Sequence, residues 1–331
     1  MIDAAQYPET ARDRNRWILS RRGPRNAVEP TRPYAFLVEQ ERAVTGEIVS
    51  VATVFLTNRE CPWRCLMCDL WKNTLPESVP PGAIPNQIDY ALSRLAPARQ
   101  IKLYNSGSFF DPRAIPPGDF SAIAERVRPF ERVIVECHPA LVDEAVLRFR
   151  DSIAGKLEVA MGLETVHPDV LRRLNKGMTL EQFSRAAEFL RTHDIALRVF
   201  ILVKPPFLNE PEALEWACRS IDFAFECDAT VASLIPTRFG NGALEALAAR
   251  GEFSMPSLET LESAMDYGIA LRRGRVFADL WDLEKFSACA ACFPDRRARL
   301  ERMNLSQQLE DRVTCDDRAH QEIKASSAPS T

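Results

Sequence analysis

No apolar run in this sequence is long enough to cross a membrane. The longest, around Ile48 to Leu56, has the length of a strand and contains Ser50 and Thr53, whereas a spanning helix needs about 20 apolar residues. The opening MIDAAQYPET lacks the basic stretch followed by an apolar one that marks a secretory signal. An even, evenly spread cysteine set is also missing. The nine cysteines are odd in number, sit in a 331-residue chain, and three of them cluster tightly. A disulfide framework is therefore excluded, and a reducing cytoplasm is the expected location. Neither sign of charge dominates. Lys and Arg total 42 against 46 Asp and Glu, a net −4, so the chain is no simple polycation, although a local basic patch stays open to it. No stretch repeats another. What is present is an ordinary globular composition, 46% hydrophobic and 27% charged, at a length that one α/β barrel can use.

Residues 1–50 read as an N-terminal extension. Arg12, Arg14, Arg16, Arg21, Arg22 and Arg25 gather there around Trp17, and Pro24, Pro30 and Pro33 exclude a long helix beyond them. The reading favoured is a solvated arm that packs on the domain through Trp17; the alternative is a contact for an anionic partner. From residue 51 short apolar runs alternate with helical patterns. Strands are expected at 51–57, 100–105, 132–137, 157–165, 197–204 and 229–235, with a seventh at 275–280. Their Val, Ile, Leu and Phe content suits parallel strands covered on both faces. Thr179 and Gln182 predict a capping box for a helix whose Leu180, Phe183, Ala187 and Leu190 share a face. Six strand-then-helix units imply right-handed crossovers and an α/β fold, an open or partial (β/α)6 barrel over 51–240. An α-rich segment over 241–315 is expected to cover the barrel's open side, with Asp279, Trp281 and Asp282 just before Cys289-Ala290-Ala291-Cys292. The polar end, 316–331, reads as a disordered tail.

In such sheets chemistry gathers at the C-terminal ends of the strands. The first strand leads into Cys61-Pro62-Trp63-Arg64-Cys65-Leu66-Met67-Cys68, a C-x3-C-x2-C spacing. The second ends in Asn105, Ser106, Gly107 and Ser108, the third in Glu136 and His138, the fourth in Glu164 and Thr165, and the fifth in Lys204. Three thiolates from one loop can hold three corners of a cubic iron–sulfur cluster, whereas ferredoxin-type clusters use a fourth cysteine. With no fourth ligand nearby in sequence, one iron stays open. An open iron can chelate a molecule through an amine and a carboxylate, and S-adenosylmethionine (SAM) offers both. Zinc sites more often pair two half-sites with four ligands.

The motif and its place after the first strand resemble the radical SAM superfamily, whose core is a six-stranded partial barrel. That resemblance implies a four-iron–four-sulfur cluster on Cys61, Cys65 and Cys68. It implies a SAM site formed with Met67, which departs from the family's frequent aromatic residue. The loop Asn105-Ser106-Gly107-Ser108 stands where the family has a glycine-rich stretch for the SAM amino group. Here it has a single glycine, so Gly107→Val is expected to harm SAM binding more than cluster content. The stretches KLYNSGSFFDP (102–112), VECHP (135–139), GLET (162–165), VKPPFLNE (203–210) and the late CAAC pair resemble the radical SAM subunit of archaeosine synthase. They resemble the Elongator catalytic-subunit and methylthiotransferase group more loosely. Those relatives modify tRNA.

Glu136 and Glu164 are expected to contact SAM, Glu136 alternatively facing substrate; surface or capping carboxylates are the plainer alternative. Glu164 and Lys204 are the candidates for catalysis, Lys204 alternatively forming a rim ion pair. Arg198 reads equally as a barrel-facing or a buried ion-pair residue. His138, before Pro139, reads as a hydrogen-bonded loop residue, and Cys137, Cys218 and Cys227 as small apolar core residues. Cys289 and Cys292, with Cys315 as a third, fit either a second metal site or a metal-free pair. The function expected is SAM cleavage to a 5′-deoxyadenosyl radical that takes hydrogen from a substrate, a tRNA-bound nucleoside. The partners expected are SAM, an electron donor such as flavodoxin or ferredoxin, and tRNA or a partner protein; no membrane is expected. A small metabolite is the alternative substrate. A zinc- or cluster-binding protein without turnover is the alternative class.

Overall fold

The structure, a computed structural model, describes residues 6–315. The segment 316–331, read above as a disordered tail, lies outside the described residues. The chain runs α1 (Ala11–Leu19), β1 (Ala35–Arg42), β2 (Ile48–Phe55), α2 (Ala83–Leu92), β3 (Gln100–Tyr104), α3 (Phe120–Val127), β4 (Arg132–Glu136), α4 (Glu144–Ser152) and β5 (Lys156–Glu164). It continues through α5 (Pro168–Arg173), α6 (Leu180–Thr192), β6 (Ala196–Val203), α7 (Glu210–Glu226), β7 (Val231–Pro236), α8 (Ala243–Ala248), α9 (Leu258–Ala270), β8 (Arg275–Ala278) and α10 (Phe293–Ser306). The eight strands form one sheet in chain order. β2 to β8 are parallel, and β1 is antiparallel to β2.

The period-2 pattern of the strands sorts residues onto two unlike faces. Val54, Leu56, Ile101, Leu103, Val133, Val135, Val159, Met161, Val199 and Ile201 join the apolar core together with helix residues such as Ile84, Ile123, Phe149, Phe183 and Ile221. The residues between them are different. Glu41 of β1 pairs with Arg198 of β6, and Arg198 Nε donates to Glu158 of β5 at 2.7 Å. Lys102 of β3 reaches Glu39 at 2.9 Å and also pairs with Glu41. β1 and β6 stand five places apart in the sheet. They can share an ion pair only because the sheet curls into a partial barrel with its charges on the concave side. Burial opposes ionisation of Glu41, but Arg198 and Lys102 hold its carboxyl well below the usual range. The helix-covered face is therefore uniformly apolar, whereas the inner face mixes these charges with apolar residues such as Ile134 and Leu202. Expecting an apolar inner face as well overlooked these alternate charges.

The span 1–50 contributes a strand to the sheet. Ala35–Arg42 pairs along its whole length with Ile48–Phe55, and its alternation is muted because it is an edge strand, half-buried on both faces. The arm ahead of it is packed. Thr10 caps α1, and Trp17 and Ile18 bury against Leu244, Leu247 and Phe253. The arginines of this arm are mostly engaged within the chain: Arg14 donates to the Arg172 carbonyl, Arg21 lies over Trp17, and Arg22 and Arg25 pair with Glu60.

The capping box of α6 forms as its sequence predicts, and Asn209 with Glu212 makes a second one on α7. At the far edge, α10 covers β8. Asn304 and Gln307 offer their side-chain amides to the backbone of Ala278 and Val276, each amide both donating and accepting. Arg42 of β1 donates to the Leu305 carbonyl at 3.2 Å, so α10 also touches the opposite edge of the sheet. No helix among the described residues is long and apolar enough to cross a membrane.

Candidate functional site

The cysteine loop leaves β2 and is fixed by backbone before any cofactor is considered. Gln87 of α2 clamps Thr57 from both sides, accepting from its N–H at 2.8 Å and donating to its carbonyl at 2.7 Å. Leu66 N–H donates to the Leu174 carbonyl at 2.8 Å, and Asn241 Nδ2 donates to the Leu66 carbonyl at 2.7 Å. Glu60 gathers Arg22, Arg25 and Arg64, which ties the N-terminal arm to the loop. Trp63 stacks on His138, centroids 3.6 Å apart, and lies against Gly177. Gly177 has φ +73°, and a Cβ there would stand 3.0 Å from Trp63 Cδ1. Glycine is what permits both the turn and the contact.

Cys61, Cys65 and Cys68 are half-buried along this loop. Burial pushes each thiol up to about 12. Beside them lies a cation that the sequence reading missed. Lys176, buried, donates to Glu164 at 2.7 Å. Burial works against its charge, but the Glu164 carboxylate and the nearby Cys65 and Cys61 outweigh that and raise its pKa. The local fold explains the pairing. A bulge between Gly162 and Glu164 leaves Glu164 at φ +68°. Its carboxylate folds back to where a Cβ on Gly162 would be, 2.2 Å from Glu164 Oε1 and 2.6 Å from Lys176 Nζ. Hence glycine at 162. Lys176 had no sequence signal beyond its neighbour Gly177, since its partner lies across a helix.

The 105–108 loop after β3 sits against the same cysteines. A Cβ on Gly107 would stand 3.2 Å from Cys61 Cβ, so a larger residue there presses on the cysteine itself. A separable effect of Gly107→Val on SAM is thus not what the geometry gives. Glu136 accepts from the Asn105 N–H at 2.9 Å. Burial raises its pKa to about 7, and the amides of Asn105, Gly107 and Ser106 lower it. Glu136 therefore faces the loop backbone. Ser106, at φ +56°, shares a 3.1 Å hydrogen bond with Tyr34, a contact between residues 72 positions apart with no local signal. Ser108 Oγ accepts from His138 N–H at 2.6 Å. Asn105 is buried, and neither its Oδ1 nor its Nδ2 finds a partner among the described residues. Polar atoms buried in that state are uncommon in folded chains.

The remaining candidates are placed as follows. Met67 is half-buried between two small apolar clusters. Lys204, at φ +55°, pairs with Glu210 and donates to Ser254 at 2.8 Å, so its ammonium is engaged at the β6–α7 junction. Burial, then the Lys176 charge, lowers the His138 pKa to about 3, which keeps the ring neutral. Its Nε2 lies 3.1 Å from the Lys176 carbonyl. Arg198 belongs to the buried ion network described above. Cys137 is buried in the apolar core.

Residues 55–217 match the family model described as Radical SAM superfamily. The chain is 26% identical over 66% of its length to an uncharacterised protein of Methanocaldococcus jannaschii, covering 64% of it. It is 30% identical over 65% of its length to archaeosine synthase subunit beta of Methanosarcina acetivorans, covering 66% of it. The chain therefore spans just under two thirds of these curated relatives. Among solved structures, methylornithine synthase superposes with a TM-score of 0.53 at 13% identity, over 76% of this chain and 68% of that one. Elp3 of Methanocaldococcus infernus superposes with a TM-score of 0.50 at 14% identity, over 66% and 59% of the two chains. These likenesses agree with the partial barrel read from the strand pattern.

Proposed function

We propose that this chain, which carries a radical SAM domain over residues 55–217, is an enzyme that cleaves SAM reductively to modify a nucleoside within tRNA. Cys61, Cys65 and Cys68 would hold a four-iron–four-sulfur cluster, and SAM would sit beside the 105–107 loop. When bound, the cluster and SAM supply the 5′-deoxyadenosyl radical that takes a hydrogen atom from the substrate. The chain's own residues bind and orient. The observation that carries the reading is one convergence: three thiols, a loop whose single glycine abuts Cys61, and the buried, unpartnered Asn105 side chain at the same rim.

The geometry supports the following roles. Glu136 is a positioning residue that holds the 105–107 backbone. Lys176 lends positive charge to a site that must carry thiolates, and it pairs with Glu164. Glu164 is the carboxylate available to a SAM hydroxyl or amine. The substrate class rests on the relative named archaeosine synthase subunit beta. A subunit implies a companion, and a partner protein would supply tRNA binding that the engaged N-terminal arginines do not. An external reductant such as a flavodoxin or ferredoxin would deliver the electron.

Anaerobically reconstituted protein given dithionite and SAM is expected to form 5′-deoxyadenosine. Replacing Cys61, Cys65 and Cys68 by Ala is expected to abolish both brown colour and product. A variant that keeps its cluster refutes the ligand assignment. For the substrate, tRNA nucleosides from a strain lacking the gene are compared by mass spectrometry with those of its parent. An unchanged profile where the protein is expressed refutes tRNA and turns attention to a small metabolite.

A further inference from the structure

A second group of thiols lies far along the chain from the first. Cys289 and Cys292 are buried where α10 begins, Cys292 serving as its N-cap residue. Cys315 comes from the segment after α10 and is carried back by a strap of residues 307–315. Arg299 anchors that strap by donating to the carbonyls of Glu310 and Asp311 at 2.8 and 3.0 Å. Arg312 adds a second anchor, donating to Asp266 at 3.1 Å and Ser263 at 2.8 Å on α9. The result is that the three sulfurs lie within 4.8 Å of one another, the sole such group of metal-ligating side chains among the described residues.

We propose that Cys289, Cys292 and Cys315 bind one zinc ion that clasps the C-terminal strap to the start of α10. The spacing selects the ligand. Cys289 and Cys315 have their sulfurs 3.6 Å apart, well beyond a disulfide bond of about 2.05 Å. A tetrahedral ion with Zn–S bonds of about 2.3 Å sets neighbouring sulfurs roughly 3.8 Å apart. A cubic iron–sulfur cluster gives each thiolate a separate iron and so spreads the sulfurs farther than a single ion does. A trio of thiolates is a soft donor set of the kind zinc takes. The surroundings suit the resulting negative charge. Arg296, paired with Glu262, also faces Cys292, and the α10 N-terminus favours anions. The fourth position is left for water or another donor.

The test uses the full chain with Cys61, Cys65 and Cys68 replaced by Ala, so that no iron from the first loop enters the count. Elemental analysis is expected to give about one zinc per chain, and X-ray absorption at the zinc edge three sulfurs at about 2.3 Å. Adding Cys289→Ser, Cys292→Ser and Cys315→Ser together is expected to bring zinc to background with unchanged circular dichroism. If that variant does not fold, the single change Cys315→Ser, at a half-buried position, is read instead. It is expected to release zinc to a chromogenic chelator at least tenfold faster. Zinc-free protein overturns the proposal, as does iron in place of zinc. Peptide mapping that finds Cys289 joined to Cys315 or to Cys292 overturns it as well. SAM cleavage is measured separately, so failure here leaves the first cluster's assignment untouched.

Discussion

Replacing Lys176 by Met strands a carboxylate beside the cysteine loop. Both partners are enclosed: the side chains of Lys176 and Glu164 are 11% and 9% exposed, and they meet at 2.7 Å. That places the pair in the buried regime. An exposed pair would contribute about 0–1 kcal/mol, whereas removing one member of a buried pair costs about 3–5 kcal/mol. For a chain of this size that lowers the apparent Tm by roughly 4–7 °C. The double variant Lys176→Met, Glu164→Gln leaves no unpaired charge and is expected to recover most of the loss. A second readout separates structure from chemistry. Burial pushes the Cys65 thiol up to about 12, and Lys176 is the largest influence pulling it back. Iron enters as the thiol proton leaves, so without Lys176 half-maximal cluster reconstitution moves to higher pH. The double variant keeps only part of that displacement, because Glu164 itself raises the Cys65 thiol, although its stability returns. Thermal unfolding of the cofactor-free protein and reconstitution followed at 420 nm across a pH series measure the two effects. A Lys176→Met protein that melts with the parent and reconstitutes on the parent's pH profile refutes the account.

Three further outcomes are expected. Gly107→Val lowers iron content and SAM binding together, because its side chain meets Cys61 Cβ, while Gly107→Ala keeps most of its iron; anaerobic iron analysis and SAM titration decide it. Glu136→Gln flattens the pH dependence of stability. Its folded pKa, about 7, lies above the ordinary 4.5, so its contribution is full below pH 4.5 and is lost as pH rises through 7; denaturation midpoints from pH 4 to 8 test this. Trp17→Ala loosens the arm from Leu244, Leu247 and Phe253 at a cost of about 3–5 kcal/mol, and limited trypsin digestion is then expected to cut first among Arg12, Arg16 and Arg21.

The strands of β2 to β8 were legible because each carries an outward apolar row, and the cysteine loop because its spacing is local. β1 was not, since an edge strand half-buried on both faces shows little alternation. Glu41, Lys102, Glu158 and Arg198 were individually visible, yet their meeting depends on the curl of the sheet, which no stretch of sequence encodes. Lys176 was missed for the same reason: what makes it matter is Glu164, twelve residues away and turned toward it by a bulge. Trp17 was placed correctly as an anchor because a lone tryptophan in a polar arm has little else to do. The strap that returns Cys315 to Cys289 is likewise set by Arg299 and Arg312, whose targets are backbone and side-chain atoms that only the fold assembles.

Asn304 and Gln307 have a consequence for how this molecule meets others. By answering the N–H and carbonyl groups of Val276 and Ala278, two side chains imitate a ninth strand without being one. A bare strand edge recruits strands from other chains, whereas this one already has its hydrogen bonds satisfied by a helical segment whose Leu305 carbonyl also accepts from Arg42 across the gap. A visitor seeking to extend the sheet at β8 would first have to prise α10 away, and with it the thiol-bearing turn at its start. Growth of the sheet into fibres or strand-swapped dimers at that end is thereby disfavoured.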